Sequence, residues 1–236
     1  MPESKVMKFF KYFILLVTGL SLFISCKDKQ VNESEVVKNT QAKTSNSSAS
    51  IKQSKKTILC YGDSLTAGHG LEEKDAWPTL LQQRIDSLNL EYIVVNAGLS
   101  GETTSGGLNR LDWILKQKID VFFLELGAND MLRGLDVSKT KENLDSIMIK
   151  VRSKHPGIPI VLAGMMSPTN MGEDYQKDFN KIFPELAAKH QAKLIPFFLD
   201  KVAGIKELNN ADGIHPNAAG SKIILESVWT AMNDLL

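Results

Sequence analysis

The sequence predicts one three-layer α/β domain built around a mainly parallel sheet of five strands, and two observations lead there. From Lys56 onward, short apolar runs alternate with amphipathic stretches. This is the pattern of βαβ units, in which strands are buried and helices pack through one face. The closing stretch shows the helical half of that pattern: Ala219, Ile223, Ile224, Val228, Met232 and Leu235 recur at near-helical spacing. A chain of 236 residues, 43% hydrophobic and 23% charged, has room for one such domain and a tail.

The first strand is expected over residues 57–61, an apolar run stopped by Gly62. A helix over 76–88 leads to a second strand over 92–97. A helix over 103–118 and a strand over 121–126 follow, then a helix over 139–154, a strand over 158–163, a helix over 175–190 and a strand over 193–198. The helix over 217–236 closes the domain, and no internal repeat is present. Ligands of such open sheets bind outside the carboxyl ends of the strands, so the loops there should carry any chemistry.

Two segments of different character precede the domain. Lys5, Lys8 and Lys11 lead into an apolar run over 12–24. That run is shorter than the roughly 20 apolar residues a membrane-spanning helix needs and fits the roughly 7 to 15 of a secretory signal. Phe23-Ile24-Ser25-Cys26 then resembles a bacterial lipobox, with Phe23 where an aliphatic residue is usual. Residues 1–26 are therefore expected to be a lipoprotein-type signal peptide, with Cys26 as the lipidated residue. The expected location is the bacterial cell envelope, in the periplasm or at the outer-membrane face. The other reading of Cys26 is a cysteine that merely ends an ordinary signal, and Met7 is an alternative start to Met1. Residues 27–55 are polar and poor in aromatics, with too little apolar surface to fold, and are expected to be a flexible tether to a domain spanning 56–236.

The 28 basic and 27 acidic side chains nearly cancel, so no global field is available to hold nucleic acid or an anionic membrane. Partners are expected at a local site, as a small-molecule or lipid substrate. Membrane contact is expected through the N-terminal lipid, and no obligatory protein partner is inferred. The two cysteines, Cys26 and Cys60, lie in dissimilar surroundings, which excludes a disulfide scaffold. Cys60 falls in a buried-strand pattern and reads as a small core residue. No spacing of ligand types suits zinc, and neither metal nor cofactor is expected.

Four strand-end loops carry the candidate chemistry. The first strand runs into Gly62-Asp63-Ser64-Leu65-Thr66-Ala67-Gly68, a small-residue turn that would expose a serine hydroxyl at the sheet edge. Read without chemistry, it is a glycine turn in which Asp63 and Ser64 cap the next helix. Thr66 stands where the G-x-S-x-G elbow of α/β-hydrolases has its second glycine, which argues against that fold. After the second strand comes Asn96-Ala97-Gly98-Leu99-Ser100-Gly101-Glu102-Thr103-Thr104, where glycine lets a backbone N–H approach a ligand. The third strand ends at Gly127-Ala128-Asn129-Asp130, whose asparagine amide can donate into the same cleft or belong to a plain Asn-Asp turn. Asp212-Gly213-Ile214-His215-Pro216 precedes the last helix, with a spacing that lets the carboxylate fold back onto the imidazole. Nucleophile, base, orienting acid and oxyanion donors thus converge at one end of one sheet.

In order and spacing these blocks resemble the SGNH (GDSL) hydrolase superfamily, over essentially the whole of residues 57–236. The similarity is greatest to its small periplasmic acyl-thioesterase, lysophospholipase and arylesterase group, through Ala76-Trp77-Pro78, Glu125-Leu126-Gly127-Ala128-Asn129-Asp130, Leu132-Arg133-Gly134 and Pro196-Phe197-Phe198. The resemblance implies a flavodoxin-like sheet. It implies Ser64 as nucleophile, Asp212 and His215 as the rest of a catalytic triad, and Ser64, Gly101 and Asn129 as oxyanion donors. The activity it implies is serine-dependent hydrolysis of carboxylic esters or thioesters such as lysophospholipids, aryl esters or acyl thioesters.

Met165, Met166, Pro168, Met171 and Tyr175 follow the fourth strand and suit either an adaptable apolar wall for an acyl chain or the core. Met165, Met166 and Pro168 are taken as substrate-binding candidates. His69 reads as a loop histidine, since nothing pairs it with a carboxylate, and His155 and His190 as helix-end residues favoured by the dipole. Two rival functions fit the same residues: an acetylesterase acting on acetylated polysaccharide, and a non-catalytic binding lipoprotein.

Overall fold

Ile58, Leu59, Cys60 and Tyr61 have no exposed surface, because β1 (Lys56–Gly62) runs through the interior of the sheet. The computed structural model describes residues 54–236. The expected signal peptide, Cys26, both candidate start methionines and nearly all of the tether lie outside the described residues. β1 pairs with β2 (Tyr92–Gly98) on one side and β3 (Val121–Glu125) on the other, and β4 (Ile160–Ala163) and β5 (Lys193–Ile195) extend the sheet. All pairs are parallel, in the order β2-β1-β3-β4-β5. Strands buried on both faces of a parallel sheet need continuous apolar runs. β3 follows that rule until Glu125, which is buried with the rest of the strand.

Seven helices complete the three layers among the described residues. They are α1 (Ser64–Ala67), α2 (Trp77–Ser87), α3 (Thr104–Ile114), α4 (Ala128–Leu132), α5 (Val137–Lys154), α6 (Glu173–His190) and α7 (Ala218–Met232). α3, α5 and α6 pack side by side on one face of the sheet, and α2 packs against α7 on the other. α5 buries Leu144, Ile147, Met148 and Val151, and α6 buries Phe179, Ile182, Phe183 and Leu186. Both sets follow i, i+3, i+4, i+7, a single apolar stripe toward the sheet. Trp77 of α2 joins helix layer to sheet by packing 4.8 Å from Phe123 and 5.9 Å from Phe198 between ring centroids. Among the described residues no helix is long and apolar enough to cross a membrane.

Every expected strand and long helix is present, with shifted ends that have local causes. The fifth strand stops at Ile195 because Pro196 has no N–H to continue the ladder. α5 starts two residues early because Asp136 caps it, accepting from Ser138 N–H at 2.7 Å and Lys139 N–H at 3.1 Å. α3 ends at Ile114, short of the expected Lys118, and α7 gives way to a 3₁₀ turn over Asn233–Leu235. α1 and α4 are single turns that the sequence pattern leaves as loops, and both fall at the site.

The chain steps outward from β1 to β2 and then returns to the far side of β1 for β3. This reversal opens a crevice at the carboxyl ends of the two central strands, where open α/β sheets bind their ligands. Gly62 of β1 and Glu125 of β3 are register partners at that point.

Candidate active site

At the end of β1 the backbone has little room: a Cβ on Gly62 would lie 2.5 Å from Glu125 Oε2. The chain turns at once into α1, which Asp63 caps by accepting from Leu65 N–H at 2.9 Å through Oδ1. Gly68 closes the turn in the left-handed region, with φ 79°. Ser64 is thereby fixed as the first residue of a rigid turn, 8% exposed and facing a cavity.

His215 reaches Ser64 from the loop before α7. Asn217 anchors that loop by capping α7, its Oδ1 accepting from Ala219 N–H at 2.9 Å and Gly220 N–H at 3.2 Å. Asn210 N–H adds a bond of 2.7 Å to the His215 carbonyl. His215 Nε2 lies 2.9 Å from Ser64 Oγ, and Nδ1 lies 2.8 Å from Asp212 Oδ2. Asp212 Oδ1 accepts from the backbone N–H groups of Ile214 at 2.8 Å and His215 at 3.0 Å. These backbone bonds, and then the imidazole, hold the Asp212 carboxyl below the usual carboxylate range. Serine hydroxyl, imidazole and carboxylate thus form one hydrogen-bonded row, the geometry in which a serine can lose its proton to a histidine.

Asn129 lies in the first turn of α4, lines the same cavity, and donates from Nδ2 to Asp63 Oδ2 at 3.0 Å. One amide hydrogen is therefore engaged and the second is left for the cavity. Gly101 has φ 79°, and its carbonyl accepts from Arg133 Nη2 at 2.8 Å. The backbone N–H groups of Ser64 and Gly101 make no backbone hydrogen bond among the described residues. Two buried polar clusters hold these loops in place. Asp130 accepts from Thr104 N–H at 2.8 Å and Thr104 Oγ1 at 2.6 Å, tying the loop after β3 to the start of α3. Arg110 pairs with Glu102, donates to Ala97 O at 2.8 Å and lies 4.0 Å over the Tyr61 ring, which clamps the ends of β1 and β2.

The cavity has a volume of about 300 Å³, and Ser64, Asn129 and His215 share its wall with Met165, Met166 and Pro168. Leu132, Phe197 and Ile214 complete an apolar lining. Met171 and Tyr175 are not part of that wall; Tyr175 stacks on Phe179 at 6.0 Å and donates to Leu135 O at 3.1 Å. His69, expected as an uninvolved loop residue, packs its ring 4.6 Å from that of His215. His190 Nε2 bonds Asp145 Oδ1 at 2.6 Å, and His155 follows the last turn of α5. Burial pushes the Cys60 thiol up, in keeping with a core residue. Among the described residues no cluster of three His, Cys, Asp or Glu side chains is arranged to hold a metal ion.

One pair of residues carries more than its motif indicated. Asp63, legible as a helix cap, also receives the Asn129 amide, and burial lifts its carboxyl to about 6 against the bonds from Leu65 and Asn129. Glu125 accepts from Asp63 N–H at 3.2 Å and Thr66 Oγ1 at 2.7 Å, and burial followed by the Asp63 charge raises it well above the usual carboxylate range. The signal for Glu125 was an acidic residue inside an otherwise apolar strand.

Residues 60–223 match the GDSL-like Lipase/Acylhydrolase family. The chain belongs to that family. This GDSL hydrolase is 39% identical over 181 residues to esterase TesA of Pseudomonas aeruginosa, a match covering 76% of this chain and 89% of the relative. It is 37% identical over 178 residues to thioesterase 1/protease 1/lysophospholipase L1 of Escherichia coli K12, covering 74% and 81%. A crystal structure of TesA matches with a TM-score of 0.73 at 39% identity, covering 77% of this chain and 100% of that one. The GDSL protein is thus an esterase-type hydrolase on the three-layer SGNH fold, with the crevice described above at its family-matched core.

Proposed function

We propose that this GDSL hydrolase cleaves carboxylic esters and thioesters of medium or long acyl groups, with lysophospholipids, aryl esters and acyl thioesters as substrate classes, through an acyl-enzyme on Ser64. The observation that carries the reading is the row from Ser64 Oγ to His215 at 2.9 Å and from His215 to Asp212 at 2.8 Å. His215 takes the serine proton as Oγ attacks the acyl carbon and returns it to the departing alcohol or thiol. Asp212 accepts the Nδ1 hydrogen, fixes the tautomer and stabilises the imidazolium. The developing oxyanion is met by the N–H groups of Ser64 and Gly101 and by the Asn129 amide. Water then attacks the acyl-enzyme, His215 again takes the proton, and the carboxylic acid leaves with Ser64 restored.

The apolar wall of Met165, Met166 and Pro168 beside the reacting groups supports an acyl chain longer than acetyl. Export and lipid anchoring through Cys26 are part of the same reading, supported by the lysines, apolar run and lipobox-like end of residues 1–26. Hydrolysis of p-nitrophenyl acetate, octanoate and palmitate by the wild type and by Ser64→Ala tests the proposal. Activity is expected to favour the longer acyl groups over acetate and to vanish with Ser64→Ala. A strict acetate preference refutes the substrate class, and activity surviving in Ser64→Ala refutes the mechanism.

A further inference from the structure

Behind the oxyanion donors lies a carboxyl group to which the hydrolytic cycle assigns no task. Glu125 ends β3 beside Gly62 of β1, with no surface exposed. Its Oε2 is satisfied by Asp63 N–H and Thr66 Oγ1. Its Oε1 is equally buried and has no hydrogen-bond partner among the described residues. Asp63 has no exposed surface either, and both its oxygens are engaged: Oδ1 by Leu65 N–H at 2.9 Å, Oδ2 by Asn129 Nδ2 at 3.0 Å.

Two adjacent carboxylates held away from water cannot both be ionised without a large penalty, so the pair holds a proton. Asp63 faces the Leu65 N–H, the Asn129 amide and the His215 ring, all of which favour its charge. Glu125 faces the Asp63 charge, and the Arg110 guanidinium at the Gly62 carbonyl is paired with Glu102.

We propose that Glu125 is a positioning residue: held as the neutral acid, it donates a hydrogen bond to Asp63 and fixes that carboxylate as the acceptor for Asn129, whose second N–H then meets the reacting carbonyl oxygen. The inference rests on the reading of Asn129 as an oxyanion donor. Glu125 touches no reacting atom. Its effect passes through Asp63, because an amide that must give one hydrogen to Asp63 cannot flip and present its own oxygen to a carboxylate. A neutral Glu125 also keeps a second negative charge away from the place where the oxyanion forms.

A double-mutant cycle tests this, with kcat and KM on p-nitrophenyl butyrate for the full-length wild type, Glu125→Gln, Glu125→Ala, Asn129→Ala and the Glu125→Ala/Asn129→Ala double variant. Glutamine keeps a neutral donor in place, so Glu125→Gln is expected to retain kcat within about 3-fold of wild type, while Glu125→Ala loses about 10- to 100-fold in kcat with KM nearly unchanged. In the Asn129→Ala background the Glu125→Ala loss is expected to disappear, since its only route of action is gone. Additive losses, or a glutamine variant as impaired as the alanine one, overturn the proposal. An Asn129→Ala variant with wild-type kcat overturns the oxyanion reading beneath it, a failure distinct from that of Glu125. Should Glu125→Ala not fold, Glu125→Gln against Glu125→Asp decides: retained activity in the first and lost kcat in the second support the proposal, and equal kcat overturns it.

Discussion

Carboxyl groups near Ser64 are held in opposite regimes by their surroundings. Asp212 is exposed and accepts three hydrogen bonds, so it stays ionised and available to His215. Asp63 and Glu125 lie out of water and are raised, Asp63 to about 6. The consequence for stability has a definite sign. A carboxyl whose folded value is raised binds its proton more tightly in the folded state, so its contribution is fully present below the unfolded value and is lost as pH rises toward the folded one. The unfolded values are 3.8 for Asp63 and 4.5 for Glu125. The titratable groups facing the pair are His215 from the α7 loop and the Arg110–Glu102 pair at the Gly62 carbonyl. Replacing Glu125 by the non-titrating glutamine is expected to raise the melting temperature relative to wild type by an amount that grows as pH rises above the unfolded Glu125 value of 4.5. A difference that does not vary with pH contradicts this. Ser64, Asn129, Asp212 and His215, which the structure brings together, were legible as short motifs in the loops after β1 and β3 and before α7. The Asp63–Glu125 pair was not, since it arises from the register of β1 and β3, which no local spacing encodes.

Longer elements were legible wherever a stripe or run repeats. Leu144, Ile147, Met148 and Val151 announce α5 in the sequence and are all buried in the structure. Truncating Leu144, which has no exposed surface, should therefore leave a cavity between helix and sheet. Leu144→Ala is expected to cost about 2 to 5 kcal/mol in urea unfolding, with kcat of the folded enzyme retained because α5 contributes nothing to the cavity wall. A cost below about 1 kcal/mol would mean that the α5 stripe does not form the core contact assigned to it. α1 and α4 escaped the same reading for a physical reason: helices of four and five residues show too little periodicity to register. Their placement depends on the local Asp63 cap and on the bond from Asn129 to Asp63 that joins the two turns. These two turns carry Ser64 and Asn129, so the parts of the fold least visible in sequence are those that aim the chemistry.

At the scale of the whole molecule, residues 60–223 match the hydrolase family, and the proposal of export and lipid anchoring rests on the lysine-led apolar run before Cys26. The near balance of 28 basic and 27 acidic side chains provides no general surface charge for holding an anionic membrane, so the proposed anchoring rests on Cys26. Cys26→Ser is expected to move the protein from the membrane fraction to the soluble fraction with kcat on p-nitrophenyl esters unchanged. Retention of the variant in the membrane fraction would show that another segment holds it there. The fold class could be read from composition and periodicity, whereas the cavity beside Ser64 could not, because Leu132, Met165, Phe197 and Ile214 meet only through the topology of the sheet.

The proposed chemistry turns on Ser64 as the nucleophile, activated by His215. The most direct measurement is labelling of the purified protein with a fluorophosphonate, followed by peptide mass mapping, on wild type, Ser64→Ala and His215→Ala. A single adduct is expected on the peptide carrying Ser64, absent from Ser64→Ala and strongly slowed in His215→Ala. An adduct on another residue, or undiminished labelling of His215→Ala, would contradict it.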